Sequence, residues 1–187
     1  MTQSVKFTFQ WVIATFGAFL LSLLFVEIGE KSDINAVQGA VGGVVIALPQ
    51  AFVLRGRINP WLWVWTSLAG WVFITTAGIG AVGWMVFTTQ VLALRVAYGV
   101  LLGATAGFSI GLAHWFAIQE HSPLAHNWIF ISSVSWALGV AIGSLIGGLL
   151  YKLTQLFLGE VVGLAVTWFV VAIVTGVSGS KIFNQTH

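Results

Sequence analysis

The chain has 187 residues, of which only seven are Lys or Arg and five Asp or Glu, with 58% hydrophobic content and a mean hydropathy of +0.99. Its 6% of charged residues compares with about 25% in soluble domains, too few to keep a globular surface in water. The composition therefore excludes a soluble protein. With no cysteine, it also excludes a disulfide framework, a thiolate metal site and a Cys nucleophile, and the scattered basic residues make no nucleic-acid patch.

A bilayer core about 30 Å thick needs about 20 helical residues. Taken in chain order, the uncharged runs are 7–26, 34–54, 58–94, 96–119, 121–151 and 161–180, each long enough to cross once. The first has Lys6 ahead of an apolar stretch, as a secretory signal does. It leaves through Val26-Glu27-Ile28-Gly29-Glu30 without a small-residue cleavage pattern, and reads as a retained span. The third run would be about 55 Å long as one helix. It divides into a span starting near Pro60, with Asn59 as its cap, and a glycine-interrupted segment at 78–90 that is interfacial or re-entrant. The expectation is an all-α integral membrane protein of six transmembrane helices in a single domain, 1–187.

With the N-terminus in the cytoplasm, Lys6, Arg55, Arg57 and Lys181 lie inside and Lys31, Arg95 and Lys152 outside, so four basic residues against three place both termini there. The expected location is a bacterial inner membrane or an internal photosynthetic membrane.

An internal repeat organises the chain. Shifted by 64 positions, residues 43–54 (GVVIALPQAFVL) fall on 107–118 (GFSIGLAHWFAI). After one inserted residue, 63–71 (WVWTSLAGW) falls on 128–136 (WIFISSVSW), and 11–19 (WVIATFGAF) is a third copy of that segment. A weaker copy of the other pattern lies at 162–169. The sequence thus predicts three tandem helical hairpins related by rotation about the membrane normal.

Small residues every fourth position let helix backbones approach in lipid. Gly99, Gly103, Gly107 and Gly111 form such a stripe on the fourth helix, Gly39 and Gly43 on the second, and Gly139, Gly143 and Gly147 on the fifth. The second and fourth helices are expected to pack together through these stripes.

Of the ten tryptophans, Trp11, Trp61, Trp63, Trp115 and Trp128 fall near the predicted cytoplasmic ends, where an aromatic belt is expected. Trp71 and Trp136 lie about 12 Å deeper. Their N–H groups need partners, for which Ser67 and Ser132 are candidates. Gln50 and His114 occupy equivalent repeat positions on glycine-rich helices. Interhelical hydrogen bonding is their plain reading, and a contact to a metal, haem or pigment the sharper one. The candidate ligand-binding set is therefore His114, Gln50, Trp71, Trp136 and Trp115. His114, Glu120, His121 and His126 lack a metal-ligand spacing, and no metal site is expected. Ser109, in a G-x-S-x-G frame at 107–111, lies mid-span on the glycine stripe with no carboxylate in any predicted span to orient His114. No enzymatic role is expected. With no Asp, Glu, Lys or Arg inside a predicted span, a proton relay is not expected either.

Residues 43–55 and 107–119, with Gln50, Leu54-Arg55, Gly111-Leu112 and Trp115, resemble an uncharacterised group of small bacterial membrane proteins that repeat a Gly-Leu-x-Gln-Trp helix ending in Leu-Arg. That resemblance carries no activity. Ala14-x-x-x-Ala18 resembles the small-residue seam by which substrate-capture subunits of energy-coupling-factor vitamin transporters dock to their partner. The resemblance implies a membrane-protein partner.

Two functions follow as expectations. The first is a non-catalytic accessory or assembly subunit of a membrane complex, bound to a membrane-protein partner or another copy of itself and holding a hydrophobic small molecule or pigment beside Trp71, Trp136 and His114. The alternative is a small-molecule transporter or capture subunit, which requires a polar cavity opening to the external side near 27–38 and 78–90.

Overall fold

The computed structural model describes residues 2–31 and 33–183. Among them are six helices, α1 (Gln3–Ser22), α2 (Ala36–Leu54), α3 (Pro60–Thr76), α4 (Leu92–Ile118), α5 (Asn127–Thr154) and α6 (Leu158–Phe183), and no strand. Five are long and apolar enough to cross a membrane. The sixth, α3, has 17 residues and rises about 26 Å.

Local chemistry fixes several boundaries. Asn59 caps α3 by accepting from the backbone N–H groups of Trp61 (3.0 Å) and Leu62 (3.3 Å), and Pro60 occupies the first helical turn, where its missing N–H costs nothing. Asn35 caps α2 in a reciprocal box with Gln38. The turn after α5 is closed by Gln155 at φ 57°.

The helices form a closed ring in chain order: each packs on the next, and α6 returns to α1. The glycine stripe of α4 faces α5, not α2 as the pattern suggested. A Cβ on Gly103 would lie 2.5 Å from the Trp136 carbonyl oxygen, and one on Gly107 2.5 Å from that of Ser132; Gly99 and Gly111 abut α5 in the same way. On α2, Gly39 and Gly43 receive Thr75 and Trp71 of α3, while Gly139 and Gly143 of α5 receive Val171 and Thr167 of α6. The stripes are packing seams, but the ring order pairs sequence neighbours and leaves α2 and α4 apart.

Segment 77–91 folds back over one end of the ring. Residues 81–85 are buried, and Trp84 is inserted with 0% exposure. The backbone N–H of Val86 donates to the Gly29 carbonyl (2.9 Å), joining this segment to the chain leaving α1. The glycine-interrupted segment thus closes that end.

Arg95 and Glu160 are not the loop charges bounding spans that the sequence suggested. Helix α4 starts at Leu92 and α6 at Leu158, so both charges sit in first turns, with side chains 1% and 8% exposed and paired at 2.5 Å. The Arg95 guanidinium also donates to the carbonyls of Phe87 (3.2 Å), Thr89 (3.4 Å) and Ser144 (3.3 Å). A buried ion pair persists only when its remaining donors are satisfied. These bonds do that, and they tie the plug segment to α5 and α6.

Candidate functional site

Inside the ring the aromatic side chains form two tiers. In the first, Trp11 of α1, Trp63 of α3 and Trp128 of α5 meet with ring centroids 5.8–5.9 Å apart and interplanar angles of 67–89°. Edge-to-face geometry of this kind is favoured by the ring quadrupole. All three are at most 2% exposed, so they are core residues and not the belt their distance from the helix ends suggested. Trp61, by contrast, is 67% exposed on the outside of the bundle.

Each of these indoles donates its N–H to a polar side chain on an adjacent helix. Trp63 donates to Gln50 Oε1 (3.2 Å), Trp128 to His114 Nδ1 (3.4 Å) and Trp11 to Thr175 Oγ1 (2.9 Å). Gln50 donates onward to Thr15 Oγ1 at 3.0 Å. His114 Nε2 lies 2.8 Å from Ser67 Oγ, and its ring stacks on Trp63 at 3.9 Å and 14°. An indole N–H can only donate, so Nδ1 of His114 is the acceptor and the neutral ring carries its proton on Nε2. Nε2–H donates to Ser67 Oγ, which donates to the Trp63 carbonyl at 2.8 Å. Both imidazole nitrogens are engaged within the protein.

The second tier holds Trp71, Trp84, Trp136 and Trp168, with neighbouring centroids 4.8–6.0 Å apart, and Phe19 stacked on Trp168 at 5.5 Å. Trp84 donates to Ser22 Oγ and Trp168 to the Gly83 carbonyl, each at 2.8 Å. Ser67 and Ser132 are not partners of Trp71 and Trp136, contrary to their spacing. Among the described residues no acceptor meets either indole N–H, although each residue is 3% exposed.

Between the tiers lies a cavity of about 40 Å³, lined by Trp63, Gln50, His114, Trp71, Ser132 and Trp136 among others. Four of the five candidate ligand-binding residues therefore converge. The fifth, Trp115, is half-buried outside the cavity and packs on Phe116 at 5.1 Å. Sequence reasoning missed Trp84, Trp168 and Thr175. Ser109 donates to the Thr105 carbonyl (2.9 Å) and lines an outer groove, and Glu120, His121 and His126 are exposed.

A cavity this size suits one or two water-sized molecules. The groove at the plugged end, about 580 Å³ and bordered by Glu30, Lys31, Tyr98 and the plug, shares no lining residue with it. In comparisons with known proteins, no family model, no curated protein and no solved structure matches this chain.

Proposed function

We propose that the protein is a non-catalytic membrane subunit that acts through its outer surface, holding or assembling a partner in the plane of the bilayer. The observation carrying this reading is the filled interior. Among the described residues, two tiers of interlocked indoles and a plug at one end surround a cavity of about 40 Å³, too small for a pigment. An outer groove of about 370 Å³ between α3 and α4 supports it, with a floor of Ala69, Gly70, Ser109 and Ala113 between Phe73, Phe108 and Phe116. Small residues between bulky ones suit a transmembrane helix.

The hydrogen bonds favour a threefold arrangement of helix pairs, α2 with α3, α4 with α5 and α6 with α1, in which α6 takes part through Thr175 and not through the copy expected at 162–169. Gln50, His114 and Thr175 stand in the same role toward Trp63, Trp128 and Trp11. Cytoplasmic termini are favoured by the count of basic residues, with Lys6, Arg55, Arg57 and Lys181 at one end against Lys31, Arg95 and Lys152 at the other.

A photo-crosslinking residue at Phe73 or Phe108 tests the function in native membranes. A discrete adduct absent from Phe130, which is 63% exposed and outside the groove, is expected. Identical adduct patterns from all three positions would refute groove docking. A second reading, a small-molecule transporter or capture subunit, draws support from the unpartnered indole N–H groups of Trp71 and Trp136. It predicts solute binding or flux in vesicles that Trp136→Phe weakens.

A further inference from the structure

A groove of about 610 Å³ runs between α1 and α2 on the outside of the ring and shares no lining residue with the α3/α4 groove. Its rim carries Lys6, Arg55 and Arg57, and its wall is Phe9, Ile13, Ala14, Pro49, Phe52 and Val53. No carboxylate lines it, and the one ion pair among the described residues is Arg95–Glu160, at the opposite end. Among the described residues, three cations therefore stand beside an apolar wall without a counter-charge.

Aromatic contacts hold two of them in place. The Arg55 guanidinium carbon lies 3.7 Å from the Phe52 ring centroid, and that of Arg57 lies 5.1 Å from Phe7. Arg57 also donates to the Val53 carbonyl at 3.1 Å. Along α1, Ile13 and Ala14 lie about 11 Å below Lys6, and along α2 Pro49 lies about 9 Å below Arg55. Pro49 cannot donate to the Val45 carbonyl, although α2 runs unbroken past it.

From this arrangement we propose that the α1/α2 groove is a binding site for an anionic phospholipid, with the phosphate-bearing headgroup among Lys6, Arg55 and Arg57 and the upper acyl chain against Ile13, Ala14 and Pro49. Charge complementarity selects the headgroup, since among the described residues no carboxylate lines the groove to neutralise these cations. The apolar wall below selects a lipid over a free anion. The site goes beyond the partner-holding role and does not depend on it.

The test is electron paramagnetic resonance of spin-labelled phosphatidylglycerol and phosphatidylcholine around the protein reconstituted in phosphatidylcholine vesicles. The wild type is expected to favour phosphatidylglycerol several-fold. The three cations share that preference, none contributing more than about fivefold at low ionic strength, and Lys6→Gln/Arg55→Gln/Arg57→Gln brings the ratio to about one. Lys152→Gln, at the other end, leaves it unchanged. Ala14→Leu keeps every charge but fills the acyl seat, and it lowers the ratio without touching the helix end. A ratio retained by the triple variant, or one unaffected by Ala14→Leu, overturns the proposal. Loss of the preference on adding inorganic phosphate, beyond that seen with chloride at equal ionic strength, assigns the site to a free anion and also overturns it.

Discussion

Substitution of Gly103 by alanine tests how the ring is held together. The added Cβ would stand 2.5 Å from the Trp136 carbonyl oxygen, 2.9 Å from its carbon and 3.0 Å from Ala137 Cα. All three are backbone atoms of α5 and cannot rotate away. Restoring ordinary contact requires the two helices to part by about 0.9 Å, which also loosens the neighbouring contacts of Gly99 and Gly107. Overpacking of this kind costs about 1–3 kcal/mol, against up to about 1 kcal/mol gained from the better helix propensity of alanine. The net loss expected is about 1–2 kcal/mol. Gly17→Ala is the control, because a Cβ there meets nothing within 4 Å and only the propensity gain remains. Unfolding in mixed detergent micelles, followed by near-ultraviolet circular dichroism of the packed indoles, reads the difference. Equal stability of Gly103→Ala and Gly17→Ala would refute the seam as the close contact that sets helix spacing.

Four further substitutions probe the interior. His114→Gln supplies the carbonyl acceptor and amide donor that Gln50 uses beside Trp63, so it is expected to stay within about 1 kcal/mol of wild type. His114→Leu strands the Trp128 N–H and loses about 1–3 kcal/mol in the same unfolding assay. Removing one member of the buried ion pair, as in Glu160→Ala, leaves Arg95 uncompensated and costs about 3–5 kcal/mol, and limited proteolysis should then cut within 77–91; an uncut segment would show that the pairing with Glu160 is not needed to hold the plug. Trp84→Ala empties a fully buried site and is expected to cost about 3–5 kcal/mol, with loss of near-ultraviolet signal from the second tier.

How far each feature is legible in the sequence depends on the kind of signal it carries. Periodic features are legible: the apolar runs, the Asn59-Pro60 start and the glycine stripes all follow from helix geometry. The partners of those stripes are not, because spacing along one helix says nothing about which neighbour fills it. Gln50 and His114 are recognisable as matched polar positions, yet Thr175 is hidden. A threonine among valines and alanines resembles any helical neighbour, and its role shows only when the Trp11 indole reaches it. Arg95 and Glu160 escape a reading in which each charge ends a span, because mutual neutralisation lets both enter the bundle ends. Trp84 lies in a segment without helical periodicity, so its burial depends on how 77–91 folds back. Trp11, Trp63 and Trp128 share depth with belt residues, and only the inward face of the ring distinguishes them from Trp61.

The central claim, a closed interior, is most directly tested by thiol accessibility, since the chain has no cysteine of its own. Ser132→Cys places a thiol at a cavity position that is 4% exposed, and Glu120→Cys places one at an exposed helix end. With the protein in vesicles open to reagent on both sides, a water-soluble maleimide should label Glu120→Cys rapidly and leave Ser132→Cys unreacted until detergent unfolds it. Labelling of Ser132→Cys in the folded protein at a rate comparable to Glu120→Cys would mean that water reaches the centre of the ring, contradicting a sealed bundle and favouring a solute path.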